Sequence, residues 1–161
     1  FFNVYGPNEH HKGAMKSVIA HIYPNAAAGR AVTLFRSHNP NYADGGQMRD
    51  FIYLKDAVRR TCAFLEPKYR KVGGIYNIGQ GKPTPWNFLA DSFFKALKKR
   101  TNIAYIDMPP DLVKQYQNYT CACMDKFHKI FSSDLRVWPQ DPIGSQVKEY
   151  VQEYLLGDRR W

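Results

Sequence analysis

The sequence predicts an α/β fold, and three observations carry that prediction. Short apolar segments, such as residues 32–35 and 103–106, alternate with longer segments whose apolar residues have helical spacing. This alternation requires crossover connections and therefore indicates parallel strand pairs. With 161 residues, of which 44% are apolar and 15% aromatic, the chain has the material for the core of one domain.

The first half of the chain is predicted as alternating strands and helices joined by polar turns. Its helices are indicated by apolar side chains three and four residues apart, and Pro24 is expected to end or kink the first one. Asp56 complements the dipole in the first turn of the second helix. The predicted elements are the end of a strand at 1–4, a helix at 12–23, a strand at 32–35, a polar loop at 37–47, a strand at 49–53 and a helix at 55–65.

The second half continues the alternation. Residues 74–79 are an apolar run between glycines and are predicted as a strand. Thr84 is predicted as the N-cap, and Pro85 as the first residue, of the helix that follows. The other elements are a helix at 86–99, a strand at 103–106, an extended segment at 116–123, a short helix at 125–131 and a final amphipathic helix at 147–156.

The chain is strongly basic, with 23 Lys and Arg against 14 Asp and Glu and a net charge of +9. It should therefore attract polyanions such as nucleotides, phosphosugars or nucleic acid. A nucleic-acid partner rests on this charge alone, because no recognised motif accompanies it. The basic residues fall into small groups, each of which by itself is predicted to be a solvated helix end or face: Arg59 and Arg60, residues 68–71, residues 98–100, and Arg159 and Arg160.

Hydropathy and cysteine content exclude several other classes. No stretch approaches the roughly 18 to 20 apolar residues needed to cross a bilayer, so no membrane partner is predicted. Residues 1–6 lack the basic start and apolar run of a signal peptide. Three cysteines are too few for a disulfide scaffold, which favours a reducing compartment. A metal site at Cys121, Cys123 and His128 is disfavoured because there is no second cysteine pair, and no metal is predicted.

The Gly-Gln-Gly run at residues 79–81, between a predicted strand and a predicted helix, has two interpretations. It could be a loop whose backbone N–H groups bind phosphate. However, a full fingerprint needs a glycine near Thr84, and Pro83 and Pro85 carry no N–H donor. A tight strand-to-helix turn is therefore the favoured interpretation.

Two basic residues are candidates for chemistry. Lys12 follows two histidines in a loop and could act as a general acid or base if it is desolvated; the alternative is a solvated loop lysine. Arg49 precedes an apolar strand, where an arginine can bind phosphate in a bidentate manner. The alternative for Arg49 is an ion pair with Asp50 or Asp56, and the residues alone favour that pair.

A run of motifs changes this balance. Six segments, in this order, resemble the carboxyl-terminal half of the extended short-chain dehydrogenases: FFNVYGP, HKGAM, SVIAH, LF, RDFIYLKDA and GIYNIGQGK. The RDFIY and YNIGQG motifs are shared by many nucleotide-sugar epimerases and dehydratases. The combination of NVYGP with HKG and His21 is more specific, and within the superfamily the chain is most similar to the ADP-glyceromanno-heptose 6-epimerase family.

The resemblance implies a Rossmann-type fold and an isomerase that uses bound NADP, or NAD, to oxidise a sugar carbon and then reduce it from the other face. Lys12 matches a catalytic acid/base lysine that also lies beside the cofactor, and Val4 matches a residue next to the nicotinamide. The same comparison implies that Arg49 binds the pyrophosphate of the substrate. The positions that match contacts to the nucleotide sugar are Asn3, Ala14, His21, Phe35, Arg36, Ser37, His38, Arg49 and Tyr116.

The sequence departs from the family at several positions. Residues 36–38 read Arg-Ser-His where the family has Glu-Gly-Ser, and Ala14 replaces a serine that contacts substrate. Neither a glycine-rich βαβ fingerprint nor a usable Tyr-x-x-x-Lys pair occurs in the sequence. We therefore expect residues 1–161 to be a single incomplete domain, the sugar-nucleotide half of such a fold. The nucleotide-binding half would lie before Phe1, and the chain alone would be inactive.

Two functions remain open at this point. The chain is either the substrate-binding part of a nucleotide-sugar epimerase or an inactive remnant that serves as a basic structural subunit of a larger complex. Homo-oligomerisation, or docking with the missing half or a larger complex, is expected in both cases. The enzyme is expected in the cytoplasm, and a complex subunit in an organelle such as the mitochondrion. If the first function holds, one cleft should be lined by Asn3, Lys12, His21, Arg49 and Tyr116.

Overall fold

The computed structural model describes residues 1–138 and 141–157. Arg159 and Arg160, predicted to be a solvated basic pair, lie outside the described residues. The strands are β1 (Val4–Tyr5), β2 (Val32–Phe35), β3 (Met48–Asp50), β4 (Ile52–Tyr53), β5 (Pro83–Pro85) and β6 (Ile103–Ile106). The α-helices are α1 (Val18–Ala27), α2 (Leu54–Ala63), α3 (Trp86–Ala96), α4 (Pro110–Val113), α5 (Asp125–Phe131) and α6 (Ile143–Glu149), and α6 continues as a π-helix at Tyr150–Leu155.

The strands form three two-stranded pairs among the described residues. Strand β1 pairs in parallel with β4, and β2 pairs in parallel with β6, so the predicted parallel α/β arrangement is confirmed. Strand β3 pairs antiparallel with β5, with Arg49 opposite Thr84. This last pair corrects the predicted N-cap, because Thr84 lies in a strand and α3 begins only at Trp86, after Pro85.

The beginning of the first predicted helix is different in the structure. Residues His10–Met15 form a 3-10 turn that is broken at Gly13, where φ is 52°. Helix α1 starts at Val18, because Ser17 is the N-cap and its side chain accepts the Ala20 N–H at 3.4 Å. Pro24 was expected to end or kink the helix, but α1 continues through it to Ala27.

The predicted strand at residues 74–79 is not formed. Its backbone makes one hydrogen bond to the chain start, from the Phe2 N–H to the Ile78 carbonyl at 3.0 Å. The Ile75 carbonyl accepts a bond from the Lys126 ammonium at 2.8 Å instead of pairing with a neighbouring strand. Ile75 itself is 90% exposed. An apolar strand pattern needs partners for its backbone groups, and this segment lacks a second strand beside it within the described residues.

The main core lies where α1, α3 and α6 pack over β2 and β4. It is closed by aromatic and aliphatic side chains, including Ile19, Val32, Phe93 and Val147, which are fully buried. A second cluster surrounds Phe131 of α5. The final helix starts at Ile143, four residues before its predicted start, and its π-helical end still supplies Tyr150, Val151 and Tyr154 to the core.

Three buried tyrosines should make the fold sensitive to alkaline pH. Burial, more than the nearby carboxylates, raises the pKa of Tyr5, Tyr53 and Tyr150 above the ordinary value of 10.0. Tyrosines in the unfolded chain ionise at a lower pH than these three do in the folded protein. The contribution of the neutral, buried tyrosines to the free energy of unfolding is therefore fully present below pH 10 and is lost as the pH rises above it. The free energy of unfolding should then fall by about 1.4 kcal/mol per pH unit for each tyrosine.

Urea unfolding between pH 9 and 11 tests this expectation. In Tyr5→Phe the free energy of unfolding should fall less steeply with pH, by the contribution of one tyrosine, because phenylalanine has no proton to lose. A Tyr5→Phe profile parallel to that of the parent would contradict the expectation.

Candidate functional site

The Gly-Gln-Gly loop is held by a carboxylate of the same chain. Asp50 at the end of β3 is fully buried, and its carboxylate accepts the backbone N–H groups of Gln80 at 2.6 Å, Gly81 at 2.8 Å and Ala122 at 2.9 Å. These donors are therefore occupied by Asp50 and are not available to an external phosphate. The structure agrees with the interpretation of this run as a tight turn rather than a phosphate loop.

The two glycines of the loop allow this close approach. A Cβ at Gly79 would lie 2.6 Å from the Ala122 Cβ and 2.9 Å from a carboxylate oxygen of Asp50. Gly81 has a φ of +70°, which L side chains rarely adopt, and its Cβ would lie 2.9 Å from Met124. The glycines thus serve the packing of the loop against Asp50.

Arg60 fixes the same loop from the other side, which corrects its prediction as a solvated residue. Its side chain is 1% exposed, and its guanidinium donates to the Gly79 carbonyl and, at 3.0 Å, to the Gln80 side chain. Burial lowers the pKa of the Arg60 guanidinium from its usual range. The buried Asp56 accepts the Gln80 side-chain amide at 3.2 Å, so the loop is anchored at several points.

Arg49 is held against two aromatic rings. Its guanidinium carbon lies 4.9 Å from the ring centroid of Tyr116 and 5.9 Å from that of Trp86. One guanidinium nitrogen donates to the Met48 carbonyl at 2.8 Å. The residues alone favoured an ion pair with Asp50 or Asp56, but Asp50 binds the loop and Asp56 binds Arg59 at 2.6 Å. Among the described residues, no carboxylate is in ion-pair range of Arg49, so its charge is available to an anion.

A small aromatic cavity lies beside Arg49. It has a volume of about 180 Å³ and brings together Phe35 of β2 and Tyr116, whose ring centroids are 6.2 Å apart. The Trp86 indole N–H donates to the Tyr116 hydroxyl at 3.2 Å, which orients both rings. The lining consists of Val18, Thr33, Leu34, Phe35, Trp86, Ile106 and Tyr116. Its flat rings and apolar walls can accept a planar, stacking group.

A second cavity of about 370 Å³ lies on the chain-start side and shares Val18 and Trp86 with the first. Asn3 and Val4 contribute to its wall, and the Asn3 side-chain amide is oriented by a 2.9 Å bond to the Asp50 carbonyl. Its lining is formed by Asn3, Val4, Tyr5, the residues 15–19, Phe51, Trp86 and Leu89. Asn3 and Tyr116, predicted to share one cleft, therefore line two cavities that meet at Trp86.

Lys12, Ala14 and His21 lie in the neighbouring turn and helix. The Lys12 ammonium is 3.8 Å from a carboxylate oxygen of Glu9, and its side chain is 40% exposed. The His21 ring lies 3.1 Å from the Ala14 carbonyl. The second cavity is lined by the adjacent Met15, Lys16 and Ser17, while Lys12 and His21 are not part of its wall. Their contact with a substrate stays a prediction.

The side chains of the segment that departs from the family are engaged partly with its own loop and partly with the end of β6. Arg36 pairs with the exposed Asp107 at 3.4 Å, and the Ser37 backbone N–H donates to Asp44 at 2.8 Å. Only His38 approaches the aromatic cavity, with its ring centroid 6.1 Å from that of Tyr116. The three predicted contacts at Arg36, Ser37 and His38 therefore stay predictions, and His38 is the best placed of them.

Two residues of this region were missed by the sequence reasoning. Trp86 was treated only as a residue at the start of a helix, yet it lines both cavities and contacts Arg49. Glu9 was not considered, yet it is 4% exposed and binds both Lys12 and Ser17. The aromatic character of Trp86 beside a predicted loop was a usable signal, whereas no spacing rule links Glu9 to Ser17.

A third cavity, of about 580 Å³, shares Phe51 with the second cavity, and its lining contains none of the predicted site residues. Within the described residues, no group of three His, Cys, Asp or Glu side chains could hold a metal ion. Nor does any helix in that part of the chain have the length and apolar character needed to span a membrane.

Comparison with known proteins first shows which family of proteins the chain resembles. The model of the NAD dependent epimerase/dehydratase family matches residues 1–79. A UDP-N-acetylglucosamine 4-epimerase from Methanobrevibacter ruminantium M1, solved in complex with UDP-N-acetylmuramic acid, superimposes with a TM-score of 0.73 at 24% identity. That match covers 98% of this chain and 45% of the epimerase chain. At this identity it shows the fold alone, which is the Rossmann-type α/β fold of these epimerases.

The particular resemblance is to the heptose enzymes. An ADP-L-glycero-D-manno-heptose-6-epimerase of Nitratidesulfovibrio vulgaris (strain DP4) is 45% identical over 155 residues, which are 96% of this chain and 46% of the relative. The crystal structure of the Helicobacter pylori enzyme of that name superimposes with a TM-score of 0.68 at 27% identity, covering 94% of this chain and 41% of that chain. The resemblance stated from the motifs is confirmed, and the chain spans about half the length of the curated relatives it matches.

Proposed function

We propose that the chain is the carboxyl-terminal, substrate-binding portion of a nucleotide-sugar epimerase of the ADP-glyceromanno-heptose type. The observation that carries the proposal is Arg49, which has no carboxylate in ion-pair range among the described residues and whose guanidinium lies against Trp86, which lines both cavities, and Tyr116, which lines the aromatic one. A nucleotide sugar has a planar base, a charged pyrophosphate and a polar sugar in that order. The aromatic cavity and the cavity containing Asn3 share Trp86, and the Arg49 guanidinium lies 5.9 Å from the centroid of that ring, so the three can serve the three parts of such a substrate.

Each part of the site suits one part of such a substrate. The base packs in the aromatic cavity against the rings of Phe35 and Tyr116, which stand edge to face with their centroids 6.2 Å apart. Arg49 binds the pyrophosphate through a planar fork of N–H donors that matches phosphate oxygens. The sugar occupies the larger cavity, where the exposed Asn3 side chain is oriented by Asp50 and retains its carbonyl oxygen as an acceptor. The site as a whole is a proposal that rests on these placements.

Lys12 is the proposed acid/base group. Lys12 belongs to the turn whose last residue, Met15, lines the second cavity. Its side chain is partly open to solvent, and its Nζ can exchange a proton with a sugar hydroxyl. The partly buried Val4, on the wall of that cavity, offers an apolar surface that fits a nicotinamide ring. NADP, or NAD, held mainly by an amino-terminal half, would accept the hydride from the sugar carbon and return it. That half can precede this sequence or belong to a separate chain.

Docking of the amino-terminal half requires an apolar surface, and two exposed apolar residues support one near the chain start. Phe1 is 74% exposed and Ile75 is 90% exposed, and a backbone bond between Phe2 and Ile78 brings their segments together. Exposed apolar groups of this size mark interaction surfaces. We propose that residues 1–161 are one incomplete domain that is completed there. The alternative partners are a second copy of the chain and a larger complex.

The second candidate function is an inactive remnant that acts as a basic structural subunit. The observation in its favour is the Arg-Ser-His segment, in which Arg36 binds Asp107 and Ser37 binds Asp44 rather than facing the cavity. The net charge of +9 also suits a polyanionic assembly. The three cysteines, all within the described residues, are free thiols.

We propose a cytoplasmic location for the enzyme and an organelle for the structural subunit, and free thiols suit a reducing compartment.

Arg49→Ala tests the proposed binding site. Loss of a charge-assisted contact should weaken the binding of an ADP-hexose by about 10- to 100-fold, since such contacts are worth about 1.5 to 3 kcal/mol. Isothermal titration calorimetry on the full-length protein gives the dissociation constants. Arg30→Ala is the matched control, because Arg30 is exposed, binds the Asn25 side chain at 3.0 Å and lines neither cavity. Equal affinities for the two variants would refute the site and favour the structural subunit.

A further inference from the structure

Glu9 is a buried carboxylate between the Lys12 turn and the core. It is 4% exposed, although it lies in a polar loop sequence. Its carboxylate accepts the Ser17 hydroxyl at 2.6 Å and the Ser17 backbone N–H at 3.3 Å. The Tyr150 hydroxyl donates to it at 3.4 Å, and the Lys12 ammonium lies 3.8 Å away. Burial of a carboxylate is costly unless such partners satisfy it.

The geometry connects the proposed catalytic lysine to the proposed sugar cavity. Ser17 lines that cavity and is the N-cap of α1, while Lys12 belongs to the turn that Gly13 reverses. Glu9 contacts both residues, and the Lys12 backbone N–H also donates to the Glu9 carbonyl at 3.0 Å. The side chain and the backbone of Lys12 therefore both contact Glu9: the ammonium lies near its carboxylate, and the backbone N–H binds its carbonyl.

We propose that Glu9 is the positioning residue of Lys12. This inference rests on the proposed function, because it assigns to Glu9 the task of holding the acid/base group of that reaction. A lysine has a long, flexible stem, and its ammonium would otherwise sample many positions in solvent. The carboxylate limits these positions to the side of the turn that faces Ser17. A misplacement of about 1 Å can lower the rate of a reaction by about 100-fold.

The main test compares Glu9→Gln with its parent in the full-length protein loaded with NADP or NAD. Glutamine keeps the size of the side chain and an acceptor for Ser17, but it removes the charge that attracts Lys12. We expect kcat to fall by about 10- to 100-fold while KM for the nucleotide sugar stays within about 3-fold. Tyr150→Phe is the control, since it removes the hydrogen bond on the core side of Glu9 and should leave kcat within about 3-fold of the parent.

A double-mutant cycle separates this proposal from the proposed function. If Glu9 acts through Lys12, adding Glu9→Gln to Lys12→Ala should cause no further loss of kcat. Additive losses, a parent-like Glu9→Gln, or a Tyr150→Phe as impaired as Glu9→Gln would each overturn the positioning role. If Lys12→Ala alone retains parental turnover, the acid/base assignment itself fails. Should Glu9→Gln not fold, Glu9→Asp replaces it, because it keeps the charge but withdraws it by one methylene; an unchanged kcat there would also overturn the proposal.

Discussion

Replacement of Lys12 by alanine in the full-length protein is expected to lower the rate of epimerisation by at least about 100-fold. The loss would follow from the removal of the proposed acid/base group, whose Nζ lies 3.8 Å from a carboxylate oxygen of Glu9. Binding of NADP or NAD should change little, because the proposed amino-terminal half supplies most of its contacts. Product formation under saturating substrate, with the cofactor content measured in parallel, gives the result.

The control for this experiment is Lys129→Ala. Lys129 is an exposed residue of α5, so it removes the same charge from the protein without touching either cavity. If Lys12→Ala retained turnover within a few-fold of the parent, Lys12 would be an ordinary loop lysine. The structural subunit would then become the better account of the chain, because the Arg49 site alone describes binding and not catalysis.

Replacement of Asp50 by alanine should have the largest effect on stability. The carboxylate is fully buried and accepts three backbone N–H groups, from Gln80, Gly81 and Ala122. Each buried donor left without a partner costs about 1 to 3 kcal/mol, so the free energy of unfolding should fall by at least about 3 kcal/mol. Urea unfolding followed by far-ultraviolet circular dichroism would measure the change.

Two further variants accompany Asp50→Ala, one as a milder substitution and one as a control. Asp50→Asn keeps one acceptor oxygen and should lose less stability than Asp50→Ala, which also makes it usable if the alanine variant does not fold. Asp107→Ala is the control, because Asp107 is 92% exposed and its pair with Arg36 is a surface pair worth about 0 to 1 kcal/mol. Losses below about 1 kcal/mol for both Asp50 variants would mean that the loop finds other acceptors.

The elements that were predicted correctly are those whose pattern is local. The spacing of apolar residues indicated β2, β6 and α5 with their observed bounds, because each is defined by its own side chains and neighbouring turns. The strand at 74–79 was wrong, because an apolar pattern cannot show whether a second strand is present to pair with it. The start of the first helix was also wrong, because Gly13 interrupts the turn before it and the cap residue Ser17 is held by the buried Glu9, eight residues away.

For the candidate site, too, some features could be predicted from the sequence, whereas others depend on tertiary contacts. The composition alone indicated the basic charge. The order and spacing of the motifs indicated the resemblance to nucleotide-sugar epimerases and the candidate residues Asn3, Lys12, Arg49 and Tyr116. Tertiary structure decided that Arg49 lies against Trp86, with no carboxylate of the described residues in ion-pair range, and that Asp50 binds the Gly-Gln-Gly loop. It also decided that Glu9 is buried, through partners as distant in sequence as Tyr150. Such contacts join residues far apart in the chain, and their free energy depends on burial, which no local periodicity encodes.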